Sequence, residues 1–294
     1  MRLRGILLYM LAATALGGAA LAQEKEPAVP PGRDPGGVAI ALLSTGIDYT
    51  IPEVAQRLAR DGEGELIGWD LVDKDRKPFD QSRGSTRPEW GGDGTALVRS
   101  VGAPGRRIVP VRIDPADPVS LARAVAFVAQ TPARIVVVPM WSPDKAVWEP
   151  FRQAASHFTD LLFIVAAGDD GKDIDEAPVW PAAFRLPNVL VVAAIRYPHT
   201  QYSGRANWGR RTVGVHASVL ASPIERGSMV PDNSRTAAMQ IADTLAGCWP
   251  QLLSVGNGER VKTAWLAQAG KPSRDNSAPY IEPCSQRGSS QPKR

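Results

Sequence analysis

Residues 40–52 read IALLSTGIDYTIP: an apolar run from Ile40 to Leu43, a turn on Ser44-Thr45-Gly46-Ile47-Asp48, and Pro52 where a helix opens. An unbroken apolar run bounded by turn residues reads as a strand buried on both faces. Proline fits the first turn of a helix, so Pro52 marks the start of the next element. Strand, glycine-containing turn and helix in succession set up an alternation that the rest of the chain repeats.

Val38–Leu43 reads as the first strand, followed by a helix over 53–60 and a strand over 66–72. A helix opens at Thr95 after a Gly-rich loop. A strand over 108–113, an amphipathic helix over 118–130 and a β-branched strand over 135–140 follow. Residues 144–158 read as helical, 161–167 and 188–194 as buried strands, and 236–253 and 260–269 as helices. Strands alternating with helices argue for a parallel sheet wrapped by helices.

At 294 residues the chain is long enough for one large α/β domain with a substantial core. Arg2 and Arg4, the apolar stretch 5–16 and the small-residue triplet Ala20-Leu21-Ala22 have the form of a secretory signal cleaved near Ala22. Residues 1–22 are therefore expected to be removed, leaving a secreted or periplasmic protein whose only membrane contact is its export signal. Residues 23–37, rich in Pro, Gly and charge, are expected to form a flexible leader. One domain over 38–284 and a polar tail over 285–294 complete the chain.

Cys248 and Cys284 are the two cysteines. In an exported chain a disulfide between them is expected, two free thiols being the alternative. Neither has an adjacent His, so there is no zinc pattern. The formal net charge of +4 is spread over scattered basic residues such as Arg106-Arg107 and Arg210-Arg211, without a basic arm. Nucleic acid is not an expected partner. No glycine-rich phosphate loop followed by Lys occurs, and no cofactor or metal is expected.

The opening motif resembles the first catalytic motif of the subtilisin-like serine proteases, and the resemblance runs in order over roughly 38–284. Gly68-Trp69-Asp70-Leu71-Val72-Asp73 is similar to the family's GYDFVD, residues 92–98 to GHGTHVAG, and residues 165–171 to VAAAGNDG. Trp180-Pro181-Ala182 with 186–194 resembles YPA…NVIAVAA, and Asn207-Trp208-Gly209 resembles SNYG. Residues 234–243 resemble TSxAAPxVAG. The resemblance implies a three-layer α/β/α fold with a mostly parallel central sheet, and a serine endopeptidase as the family activity.

It also implies where the chemistry would sit. Ser44 stands at the orienting Asp, Asp93 at the general-base His, Asp169 at the oxyanion Asn and Arg235 at the nucleophilic Ser. A slip of one residue puts Ser234 on the nucleophile instead. The register with Arg235 matches Ala237, Ala238, Ile241 and Ala242 together, and the slipped one matches fewer. A Ser nucleophile needs a base in reach, and the base an orienting group. A carboxylate at 93 is a far weaker base than imidazole. Asp169, ionised, would repel an oxyanion where an Asn amide donates; loss of that donor is known to cost subtilisin about 2.7–4 kcal/mol. The substitutions together imply a degenerate member of the family. His157, His199 and His216 fall outside these motifs. Asp93 and Asp169 bear a superficial likeness to the serine-carboxyl peptidases, which still need their Ser and have an acid where Leu97 stands here.

Where the family pairs a substrate strand along SLGG, this chain has Met140-Trp141-Ser142-Pro143. Pro143 lacks a donor and Trp141 is bulky, so the groove is expected to be plugged. Asp93, Asp169 and Arg235 are expected to converge as a structural ionic cluster. The expected function is an exported, catalytically inactive pseudoprotease with a binding or scaffold role toward an unidentified protein or peptide. The alternatives are an active subtilisin-type endopeptidase and a structural accessory domain without ligand.

Overall fold

The computed structural model describes residues 26–80, 94–100, 105–195, 205–216, 233–271 and 280–281, with backbone alone at 214–216, 268–271 and 280–281. The strands are β1 (Val38–Ser44), β2 (Trp69–Asp70), β3 (Arg106–Arg112), β4 (Ile135–Val138), β5 (Leu162–Ala166), β6 (Val189–Ile195), β7 (Thr212–His216), β8 (Gly270–Lys271) and β9 (Tyr280–Ile281). They form one sheet in the order β2-β3-β1-β4-β5-β6-β7-β9-β8. Every neighbouring pair is parallel except β8 with β9.

The helices are α1 (Pro52–Ala55), α2 (Gly94–Ser100), α3 (Pro118–Val128), α4 (Lys145–His157), α5 (Ser234–Cys248) and α6 (Gly258–Ala269). Strands β4, β5 and β6 are buried at every residue and β1 at all but Val38, as their continuous apolar runs require. The connections β3-α3-β4 and β4-α4-β5 run the same way along the sheet, so the right-handed crossover rule puts α3 and α4 on one face, where they pack together. Helix α5 lies across β1, β4, β5 and β6 with α2 beside it. It is buried along nearly its whole length and almost all round, as a helix in the inner layer must be. The result is the expected three-layer α/β/α arrangement. No helix among the described residues is long and apolar enough to cross a membrane.

The helix expected over 53–60 stops at Ala55 because the chain beyond it turns to pair with β3. Ile108 N–H donates to Arg57 O (2.6 Å) and Ala59 N–H to Ile108 O (2.8 Å). The strand expected over 66–72 shrinks to Trp69–Asp70. The segment expected as a flexible leader is tied down from Glu26 onward. Pro27 O accepts from the Tyr49 hydroxyl (2.8 Å) and Pro30 O from Arg60 Nη2 (2.6 Å). Asp34 accepts from Arg60 N–H (2.7 Å) and pairs with Arg107 (3.1 Å). A Pro-rich stretch has few donors but all its carbonyls, and basic and hydroxyl side chains of the domain use them.

Candidate functional site

Ser44 ends β1, residues 139–142 follow β4, and residues 167–170 follow β5, so the predicted site gathers at the carboxyl ends of neighbouring parallel strands. That edge is where open α/β sheets place ligand crevices. Ser44 is fully buried, its Oγ exchanging bonds of 3.2 Å with the Gly46 carbonyl and N–H across the turn. Gly46 has φ +120°, a conformation that favours glycine. The start of α2 packs directly on this turn: a Cβ on Gly94 would fall on Gly46 O and Ser44 Oγ. The Thr95 hydroxyl accepts from Asp48 N–H (2.8 Å). Asp93 lies outside the described residues, so its expected meeting with Asp169 and Arg235 does too.

The second half of the site joins the β5 turn to α5. Ser234 is fully buried, its N–H donating to Asp169 Oδ1 (2.9 Å) and its hydroxyl to Gly168 O (2.8 Å). Asn233 caps the helix by accepting from Thr236 N–H (2.9 Å). Asp169 Oδ2 is buried without a hydrogen-bond partner among the described residues. Burial pushes the Asp169 carboxyl above its ordinary range; the Ser234 hydrogen bonds and the nearby Arg235 charge pull it back only in part. Arg235 is half-buried, its guanidinium carbon 5.9 Å from the centre of the Trp141 ring, within cation–π range.

Two residues not picked out as site residues from the sequence hold this turn. Asn207, fully buried, accepts from Asp170 N–H (3.0 Å) and Lys172 N–H (2.9 Å), and donates to Ala167 O (2.9 Å). Asp170 Oδ2 accepts from Trp141 Nε1 (3.0 Å). Gly168, at φ +101°, leaves room for both side chains: a Cβ there would strike Asn207 Nδ2 and lie 3.0 Å from Trp141 Nε1. Asn207 sits in a motif already matched to the family, but its role depends on backbone groups some forty residues away.

Solved structures similar to this fold include proteases. A cold-adapted subtilisin-like serine proteinase superposes with a TM-score of 0.61 at 17% identity, covering 86% of this chain and 91% of its own. A lanthipeptide protease gives 0.60 at 19%, covering 84% and 86%. The nisin leader peptidase NisP from Lactococcus lactis gives 0.61 at 13%, covering 86% of each. The chain has the subtilisin-like fold. No protein-family model and no curated protein sequence matches it.

The residues expected to form the groove are packed and paired. Met140 and Trp141 are buried, and both main-chain polar groups of Ser142 pair with Trp180, N–H to O at 3.0 Å and O from N–H at 2.9 Å. The Ser142 hydroxyl accepts from Trp148 Nε1 (3.0 Å). Of the histidines, His157 is exposed on α4, the side chain of His216 on β7 is not described, and His199 lies outside the described residues. Cys248 ends α5, and Cys284 lies outside the described residues, so their pairing remains an expectation.

One acidic group could suggest a cation. Glu26, Asp70 and Asp73 offer carboxylate oxygens within 4.8 Å of one another. Arg112 already sits among them, with Nη1 2.7 Å from Asp70 Oδ2, 3.2 Å from Glu26 Oε1, and in contact with Asp73. A guanidinium fills the place a metal ion would take.

Proposed function

We propose that this subtilisin-like chain does not hydrolyse peptide bonds and works as an exported binding or scaffold protein for a protein or peptide partner. The observation that carries the reading is the commitment of Ser234. Its hydroxyl is fully buried and donates to the Gly168 carbonyl, so no base takes its proton and no open face remains for a carbonyl carbon. The neighbouring oxyanion position holds a carboxylate, and the next helical residue, Arg235, has no nucleophilic oxygen. The Ser142 main-chain groups that border the groove are already paired with Trp180.

Active endopeptidase is the second reading, favoured by the protease neighbours. Treatment of the exported chain with a fluorophosphonate probe, alongside casein hydrolysis, separates the two. No labelling and no hydrolysis above buffer is the expected result. Labelling that maps to Ser234 and disappears in Ser234→Ala would establish the protease.

A further inference from the structure

Against Trp180, whose main chain pairs with Ser142, the structure has a cavity of about 290 Å³. Its apolar wall is formed by Ile174, Trp180 and Val191, and its polar groups are Asp175, Arg185 and Arg211. The Trp180 ring is held against Phe184, with centroids 4.5 Å apart. Lys145 Nζ lies 5.2 Å from the Trp180 ring centre and adds a third positive charge near the cavity.

Two features set the cavity apart from ordinary surface. Neither Arg185 nor Arg211 makes a hydrogen bond or ion pair among the described residues, although both line one opening. Arg185 also ends the short 3₁₀ turn Ala182–Phe184 with φ +54°, a conformation that favours glycine and disfavours a long side chain. Two exposed arginines lining one opening, one of them on a strained backbone, make sense if a shared anion joins them. Asp175, also in the lining, accepts from Arg210 N–H through Oδ2 (2.8 Å), leaving Oδ1 as an acceptor.

We propose that this cavity binds a terminal carboxylate that carries an apolar side chain, as at the C-terminus of a peptide. The carboxylate lies between Arg185 and Arg211, whose planar forks match its geometry. The last side chain packs on Trp180, Ile174 and Val191, and the last peptide N–H donates to Asp175. The volume is at the lower end of the range for ligand pockets and suits one residue and its carboxylate. The proposal is independent of whether the chain hydrolyses peptides.

The test is fluorescence anisotropy with a fluorescein-labelled Gly-Ser-Gly-Phe peptide, presented to the full exported chain as the free acid or the C-terminal amide. The acid is expected to saturate and the amide to bind at least about tenfold more weakly. Arg211→Gln and Arg185→Gly are each expected to weaken the acid by a similar factor. Arg185→Gly should leave Tm unchanged or raised, which separates lost binding from lost folding. Competition by N-acetylphenylalanine as strong as by the unlabelled peptide identifies a small free acid as the source of the carboxylate; much weaker competition identifies a peptide end. Equal binding of acid and amide, binding unaffected by both arginine substitutions, or no binding of the acid or of N-acetylphenylalanine at millimolar concentration overturns the proposal.

Discussion

Replacing Asp169 by Asn tests the electrostatics of the corner where the β5 turn meets α5. In the native chain Oδ1 takes the Ser234 N–H at 2.9 Å, while Oδ2 is buried without a partner among the described residues. Three influences favour the ionised form: the Ser234 hydrogen bonds, the Arg235 charge and the N-terminus of α5, the last worth about 0.3–1 kcal/mol. Burial outweighs them, since the carboxyl ends above its ordinary range. Asn keeps the acceptor for Ser234 and removes the charge. A buried unpartnered polar group costs about 1–3 kcal/mol, more when charged. After the weakened Ser234 hydrogen bonds and the lost Arg235 and helix terms, Asp169→Asn should stabilise by about 1 kcal/mol at about pH 7.5, or about 2–4 °C in Tm.

The pH dependence identifies the cause. A carboxyl whose folded pKa is raised stabilises the fold through its protonated form. That contribution is fully present below the ordinary carboxylate value and is lost as pH rises through the raised one. The advantage of the variant should therefore shrink as pH falls toward the ordinary carboxylate range. Paired urea titrations of native chain and variant across that range measure the difference directly, with the other carboxylates cancelling. A variant less stable at neutral pH, or an advantage that does not change with pH, would refute the reasoning. On the proposed function the variant also stays unreactive toward fluorophosphonate, because an oxyanion donor alone supplies neither nucleophile nor base.

Three further outcomes are expected. Asn207→Ala leaves three backbone groups of the 167–172 turn without their partners and should cost about 3 kcal/mol in urea unfolding; a loss under about 1 kcal/mol would mean that water replaces the amide. Gly247→Ala places a methyl on the Arg106 guanidinium, which pairs with Asp243 at 2.8 Å, and should cost about 1–2 kcal/mol despite alanine's better helix propensity. If Cys248 and Cys284 are bonded, reduction should lower the native chain's stability by about 3–4 kcal/mol for a loop of about 36 residues and leave Cys248→Ser unaffected. Thiol titration finding two free thiols in the unfolded, unreduced chain removes that expectation.

The central strands were legible because each is an apolar run with no alternation, a pattern that in an alternating α/β chain marks a strand covered on both faces. The peripheral ones were not. β8 and β9 have two residues each, too few to show any period, and β7 is a Thr-Val-Gly run without a continuous apolar signal. The shortened α1 is a tertiary override, since Arg57–Ala59 gives up helical bonding to pair with Ile108. In the site, the order of motifs gave the expectation that Asp93, Asp169 and Arg235 converge; Asp93 lies outside the described residues, and what the structure shows is Gly94 packed on Ser44 and Asp169 bonded to Ser234. Asp170 and Asn207 escaped notice because each acts through a partner distant in sequence, Trp141 for one and the 167–172 backbone for the other.

Within the matched motifs, packing roles and chemical roles fall on different residues, and their energetics differ. Gly94 is held by backbone: any Cβ there meets the Gly46 carbonyl and Ser44 Oγ, neither of which can swing aside as the end of a long side chain can. Arg235 is half-buried, and its interactions include a charge near Asp169 and a contact with the Trp141 ring, the latter of a kind worth about 0.5–1 kcal/mol when partly exposed. Gly94→Ala should therefore destabilise by about 2 kcal/mol or more, as overpacking does, whereas Arg235→Ser should stay within about 1 kcal/mol of the native chain. A fold maintained by residues of the first kind can lose those of the second without unfolding. That is how a subtilisin-like domain would outlive its proteolysis on the proposed reading. The ordering of the two urea midpoints decides the point: if Arg235→Ser is the more damaging change, the position carries structure and the reasoning fails.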